Sequence, residues 1–312
     1  MIAILLKTLP FFALIGLGWW AGRIRFFGPE ATAALTKFVF FFALSAMLFR
    51  FAANLSLAEI WDTRFVAAYL TGSFAVYAVV LAVAALRRSP AEPAVMEAHA
   101  AVSGNTGFLG VPLLVVLLGP QAAGPVLMVL AVDMIVFSSL FTLAITGLRG
   151  GRVRLATLGT LGLGLIRNPM IVSIALGFAW SATGWPVPVP ANDFLAILGA
   201  AATPGALFAI GASLAGRSAD RPQLAAWISL AKLVLHPAAV AVAALGLFAV
   251  DRAAAGVMIA AASLPVAGNC YILAAHYGVA PQRVSTAILI STAVSILTVT
   301  GVVAIVAPWI TP

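Results

Sequence analysis

The residues of this chain best suited to chemistry lie inside long apolar runs. The segment Ser103-Gly104-Asn105-Thr106-Gly107-Phe108-Leu109-Gly110-Val111-Pro112 sets glycines, a proline and polar side chains in one of them. A second segment, Leu264-Pro265-Val266-Ala267-Gly268-Asn269-Cys270-Tyr271, repeats the combination. Proline removes a backbone donor and glycine tolerates unwinding, so each segment predicts an interrupted helix, with Pro112 and Pro265 marking the breaks. The N–H groups that open a half-helix receive an anionic group, opposing carbonyl ends suit a cation, and an asparagine amide offers both functions. Gly104, Asn105, Thr106, Gly107, Gly268 and Asn269 are therefore the candidate binding residues, and a small carboxylate is the ligand they favour. The plainer alternatives are glycines that only allow close helix packing and asparagines that only cap freed carbonyls of their own helices.

Two ionisable residues stand at similar depth in other apolar runs, Asp133 and Lys232. A charge in such a run is a functional candidate by default. Each could neutralise the other, and a carboxylate that exchanges a lysine partner for a proton or cation would be a coupling device; a permanent structural ion pair is the alternative. His236 follows Lys232 by one helical turn and precedes Pro237, which suits a proton relay or, more simply, a bond to a carbonyl that the proline frees. His99 and His276 fall near span ends and read as interfacial, and Arg50 as a side chain that reaches the headgroups.

The elements that position these residues follow from composition. The chain has 312 residues, 63% hydrophobic and 8% charged, with a net charge of +8. No globular core could hide that much apolar surface, so lipid is its solvent, and the basic balance reports membrane topology rather than nucleic acid. A crossing helix needs roughly 20 apolar residues. Ten stretches qualify: 2–22, 33–53, 65–86, 97–118, 123–147, 167–184, 192–215, 223–249, 254–276 and 284–307. The first is read as a retained helix rather than a cleaved signal. Most basic residues fall in the odd-numbered loops, namely Arg23, Arg25, Lys37, Arg87, Arg88, Arg149, Arg152, Arg154, Arg167, Arg217, Arg221 and Arg283. Lys7, Arg50, Arg64 and Arg252 fall on the other side. That bias places the odd loops in the cytoplasm and both termini outside a bacterial inner membrane. Most tryptophans sit near span ends, as interfacial anchors do.

The interrupted spans are the fourth and the ninth, five apart, so a second five-span unit enters from the opposite side to the first. The expected fold is all-α, two inverted repeats covering 1–155 and 156–312, with paired broken helices at the membrane midplane. A shift of 164 residues aligns Gly104-Asn105 with Gly268-Asn269. Phosphate-binding, nucleophile-elbow and metalloprotease-helix motifs are missing, so the expectation is no enzyme, no cofactor and no metal, with a gradient as driving force. The single cysteine, Cys270, excludes an intramolecular disulfide.

At these residues the chain resembles the auxin efflux carrier family, which includes bacterial malate and malonate permeases. The likeness is carried by Gly104 to Pro112, by Arg167-Asn168-Pro169, and by Leu264-Pro265 with Asn269-Cys270-Tyr271-Ile272-Leu273-Ala274. It implies a fold similar to bile-acid symporters and sodium/proton antiporters. Spans 1, 2, 6 and 7 would form a scaffold, often dimeric, and spans 3–5 and 8–10 a moving transport domain. By the same resemblance Asn105 and Asn269 would contact a substrate carboxylate, and Asp133 and Lys232 would occupy helices that hold an acid and a lysine in some antiporters. The expected activity is a secondary carrier of a small organic anion working by alternating access, with proton coupling through Asp133 and Lys232. A sodium-coupled carrier of another solute is an alternative, as is a channel, although the polar residues in register are few for a continuous pore lining.

Overall fold

The structure, a computed structural model, describes residues 2–56, 61–150, 155–216 and 221–310. Arg152, Arg154 and Arg217 of the basic loops lie outside the described residues. The described chain is helical throughout, with one isolated antiparallel bridge. In lipid no water is at hand for backbone groups, and a helix pairs them within its own segment.

The helices are α1 (Ile2–Arg23), α2 (Pro29–Ala53), α3 (Thr63–Leu86), α4 (Ala91–Val102), α5 (Thr106–Leu118), α6 (Pro120–Gly150) and α7 (Leu155–Ile166). They continue as α8 (Pro169–Ser181), α9 (Val189–Leu214), α10 (Pro222–Leu247), α11 (Arg252–Ala262), α12 (Gly268–Tyr277) and α13 (Pro281–Trp309). Among the described residues six of them, α2, α3, α6, α9, α10 and α13, are long and apolar enough to cross a membrane. The chain is an integral membrane protein. Helix starts follow local chemistry. Proline opens α2, α8, α10 and α13, where a missing N–H leaves no bond unmade. Asp62, Asn168 and Asp251 cap α3, α8 and α11 by accepting from backbone amides two or three residues on.

One connection departs from the sequence expectation. Leu155–Ile166, which falls between the fifth and sixth of the ten stretches, forms α7, and the chain restarts at the Asn168 cap and Pro169. Its leucines and isoleucine outweigh three glycines, each of which lowers helix preference by about 1 kcal/mol.

Small residues set the closest helix contacts. α1 lies along the second half of α9 so tightly that a Cβ on Gly18 would stand 2.1 Å from the Phe208 carbonyl oxygen, and one on Gly211 1.9 Å from that of Ile15. α2 packs on α8 and α9, while α3 packs on α4 and α10. Polar ties gather at one end of the bundle. Glu97 of α4 receives hydrogen bonds from Arg87, just past α3, and from Arg283, in the first turn of α13. Arg149 at the end of α6 binds both carboxylate oxygens of Glu92 in α4 and the carbonyl of Tyr277 at the end of α12. Elsewhere Arg50 donates through Nε to Asn192 at 3.0 Å and Ser181 to the Leu55 carbonyl at 2.6 Å.

Candidate functional site

The site is built where helices stop. α4 ends at Val102, and Ser103 to Asn105 form a non-helical link before α5 begins; α11 ends at Ala262, and Ser263 to Ala267 link it to α12. The two links pair as an antiparallel bridge between Gly104 and Val266. The Asn105 amide donates to the Pro265 carbonyl at 2.8 Å and the Ala267 amide to the Ser103 carbonyl at 3.0 Å. The Val266 amide donates to the Ser291 hydroxyl of α13 at 3.1 Å. The unwound backbone is thus satisfied by protein, the condition for tolerating it at membrane depth.

Pro265 lies within the second link, whereas Pro112 stands beyond the first, inside the α-helical stretch Val111–Leu118 that follows a π-helical turn at Thr106–Gly110. The first break falls instead at Ser103 to Asn105, because pairing with the second link fixes it there. The wide turn is anchored on Asn105, whose carbonyl accepts from the Leu109 and Gly110 amides.

Asn105 and Asn269 line one cavity with Gly104, Gly107, Gly268 and Asp133. Its volume is about 20 Å³, room for roughly one water molecule. Asn105 is buried and Asn269 half-buried. The openings of α5 and α12 both contribute, through Gly107 and Phe108 on one side and Gly268 and Asn269 on the other. Two helix openings and two carboxamides thus line one cavity; a helix opening favours negative charge, and that of α5 already faces Asp133. A Cβ on Gly268 would touch nothing within 4 Å, whereas one on Gly107 would press on the Met170 Cε of α8 at 2.3 Å.

Asp133 and Lys232 do not form an ion pair among the described residues. The Asp133 carboxylate accepts from the Tyr69 hydroxyl at 2.7 Å and from Thr106 Oγ1 at 3.3 Å, which sets it at the opening of α5. Lys232 donates to the carbonyl of Ala262, the last residue of α11, at 2.5 Å and lies 3.1 Å from His236 Nδ1. An acid faces a helix N-terminus and a lysine a helix C-terminus, so each buried charge meets the pole of opposite sign. Both residues sit at π-helical turns, Asp133–Phe137 and Ala231–Leu235, a distortion frequent at functional sites. His236 shares its nitrogens between Lys232 and the Ser73 hydroxyl at 2.8 Å, joining the lysine to α3. Gly104 is the spacer between the two clusters, since a Cβ there would lie 3.3 Å from Lys232 Nζ and 3.4 Å from Thr106 Oγ1.

His99 corrects the sequence reading. It is 1% exposed rather than interfacial, and it lines the same cavity as Asn105 and Asn269. α4 runs deeper than its hydropathy suggests, because Glu97 two residues earlier is neutralised by two arginines and can be buried as well. Ser103, one turn after His99, and Ser138 of α6 are further polar members of the lining. The i, i+4 spacing of His99 and Ser103 was the available signal for the first two; nothing in the sequence marked Ser138.

Comparison with known proteins gives the family. The sequence profile described as "Membrane transport protein" matches residues 3–303. A protein of Rhizobium meliloti (strain 1021) named "Putative malonate transporter" is 33% identical over 300 residues, covering 94% of this chain and 93% of that one. The chain belongs to the membrane transport protein family, the auxin efflux carrier family that its broken-helix motifs resemble.

Proposed function

We propose that this protein is a secondary carrier of a small organic anion, a malonate- or malate-like carboxylate, and that it works by alternating access. The observation that carries the reading is the pairing of the 103–105 and 263–267 links, which brings Asn105, Asn269 and the openings of α5 and α12 to one cavity. The name of the Rhizobium relative supports malonate as the first substrate to test. A cavity of about 20 Å³ is far smaller than a dicarboxylate, so loading requires the walls to part, as alternating access demands.

In this reading α4 with α5, and α11 with α12, are the fourth and ninth of ten membrane elements arranged as inverted repeats. α1, α2, α8 and α9 form the scaffold, which their mutual packing supports, and the other helices move against it. The scaffold is also the surface of a homodimer, as the family resemblance implies. Both termini lie outside the inner membrane. The gathering of Arg87, Arg149 and Arg283 at one end of the bundle supports that orientation. Asp133 and Lys232 are the coupling residues, and protons the coupling ion. The test is uptake of radiolabelled malate, malonate and an aromatic carboxylate into proteoliposomes, with and without pH and sodium gradients. Saturable, competable, pH-driven uptake of a carboxylate is expected; no uptake of any by folded protein would remove the carboxylate reading.

A further inference from the structure

A second and larger cavity, of about 230 Å³, lies between α2, α5 and α9. It begins one helical turn along α5 from the central one. Phe108 lines the central cavity and stacks on Phe40 of α2, with centroids 6.1 Å apart and planes inclined by 13°, whereas Pro112 lines the second cavity. The walls are apolar except at two half-buried residues, Arg50 of α2 and Thr203 of α9. A guanidinium carries five N–H donors in a rigid fork, and away from bulk water each calls for an acceptor. Arg50 engages only Nε, which donates to Asn192 Oδ1 at 3.0 Å. That bond fixes the plane of the group and leaves both terminal nitrogens without a hydrogen bond or ion pair among the described residues. The Thr203 hydroxyl is likewise unengaged among them.

We propose that this cavity is a second anion site, in which the terminal nitrogens of Arg50 hold the two oxygens of one carboxylate. The Thr203 hydroxyl is a further donor from the facing helix, and apolar walls such as Met47, Val115 and Leu195 accept the rest of a small ligand. A fork of two parallel N–H groups matches a carboxylate in geometry as well as charge. No acidic side chain neutralises Arg50 among the described residues, so the positive charge is available to a ligand. α2 and α9 belong to the proposed scaffold and α5 to the moving part, which makes the cavity a waiting site beside the route to Asn105 and Asn269. That last step rests on the carrier reading; the anion site does not.

The test places a thiol in the cavity. Ala196→Cys stands among the lining residues, and the native Cys270 is buried and stays silent. The rate of modification by N-ethylmaleimide is measured against rising propionate, or its neutral analogue propionamide, for purified protein in dodecyl maltoside and in phospholipid vesicles. Propionate should slow the reaction in both, and propionamide should not. Adding Arg50→Gln should raise the propionate concentration for half protection by about ten- to a hundred-fold, as expected for loss of a charged hydrogen-bonding partner. Arg50→Lys, which keeps the charge without the fork, should fall between, and Thr203→Val should shift it less than Arg50→Gln. Asn105→Ala should leave it unchanged. A thiol that does not react without ligand, equal protection by propionamide, or protection indifferent to Arg50→Gln overturns the site. Protection abolished by Asn105→Ala overturns it too, by moving the ligand to the central cavity. A thiol reactive in detergent but already shielded in vesicles, with no further effect of propionate, gives Arg50 to a lipid phosphate and overturns a site for soluble anions. Protection through Arg50 in a protein that takes up no carboxylate keeps the site and removes only the carrier reading.

Discussion

Replacing Glu97 by Gln tests whether the tie between α3, α4 and α13 holds those helices together. The carboxylate is 1% exposed and receives guanidinium groups from two elements, but the two arginines are not equivalent. The Arg283 side chain is 9% exposed and cannot reach water, whereas that of Arg87 is 31% exposed and can turn outward. Removing one partner of a buried pair costs about 3–5 kcal/mol, because the remaining charge is left uncompensated. That cost falls on Arg283. Arg87→Gln should cost about 1 kcal/mol or less, as for a partly solvated pair. Glu97→Gln should then lower the thermal unfolding midpoint in detergent by on the order of 10 °C, with little change for Arg87→Gln. The double variant Glu97→Gln with Arg283→Gln should recover about 2 kcal/mol relative to the sum of the single variants, since the orphaned cation is gone. Equal midpoints for Glu97→Gln and Arg87→Gln, or strict additivity in the double variant, would falsify this account.

Asn105→Ala and Asn269→Ala should each raise the substrate KM about tenfold or more, read in proteoliposomes, with unfolding midpoints close to wild type; normal affinity in both moves the site elsewhere. Gly211→Ala should destabilise by roughly 1–3 kcal/mol through overpacking, since its Cβ would lie 1.9 Å from a backbone oxygen; Gly268→Ala, with nothing within 4 Å of its Cβ, should be near neutral in the same melting assay. Asp133→Asn should flatten the pH dependence of uptake, and an unchanged profile counts against proton coupling through this residue. The Arg149 guanidinium holds the Glu92 carboxyl below its ordinary range. A depressed folded value means that the pair's contribution is complete above the ordinary glutamate pKa and is lost as pH falls through the lowered one. Melting curves of wild type and Glu92→Gln should therefore converge on the acid side and separate slightly at neutral pH.

The membrane class was legible because apolar run length reports directly on lipid, and the interrupted segments because proline and glycine are local signals. Gly104 to Thr106 and Pro265 to Asn269 announce unwinding wherever they occur. Which backbone positions pair across the break was not legible. The bridge between Gly104 and Val266 joins positions far apart in sequence, and no periodicity specifies such a pair. Pro112 misplaced the first break for the same reason, since the strongest local breaker is not where tertiary pairing unwinds the chain. Asp133 and Lys232 were legible as charges in apolar runs, and His236 as the neighbour of Lys232 one turn on, but the remaining partners, Tyr69, Thr106 and the Ala262 carbonyl, come from three other segments. His99 was hidden by proximity to Glu97, whose charge suggests a surface until its two arginines are seen.

In the alternating-access reading, the character of the helix contacts says where the cavity would open. Between α1 and α9 backbone meets backbone, at Gly18 with Phe208 and Gly211 with Ile15, and such a contact cannot slide without losing its fit. Against α8 the cavity is closed differently, by the Met170 side chain lying over Gly107 and by Phe108 at the start of α5. Methionine is unbranched and changes rotamer readily, so it seals a gap without locking it. On the proposed division α1, α8 and α9 belong to the scaffold and α5 to the moving part. The rigid contact then lies within the scaffold, and the deformable one between the two bodies, beside Asn105. A bulky branched side chain at position 170 should lower the rate of transport more than the affinity for substrate, because it hinders the parting of these walls while leaving the carboxamides in place. Met170→Ile in the proteoliposome assay, with a reduced maximal rate at near-normal KM, is the expected result; a raised KM at an unchanged rate would instead make Met170 part of the binding surface.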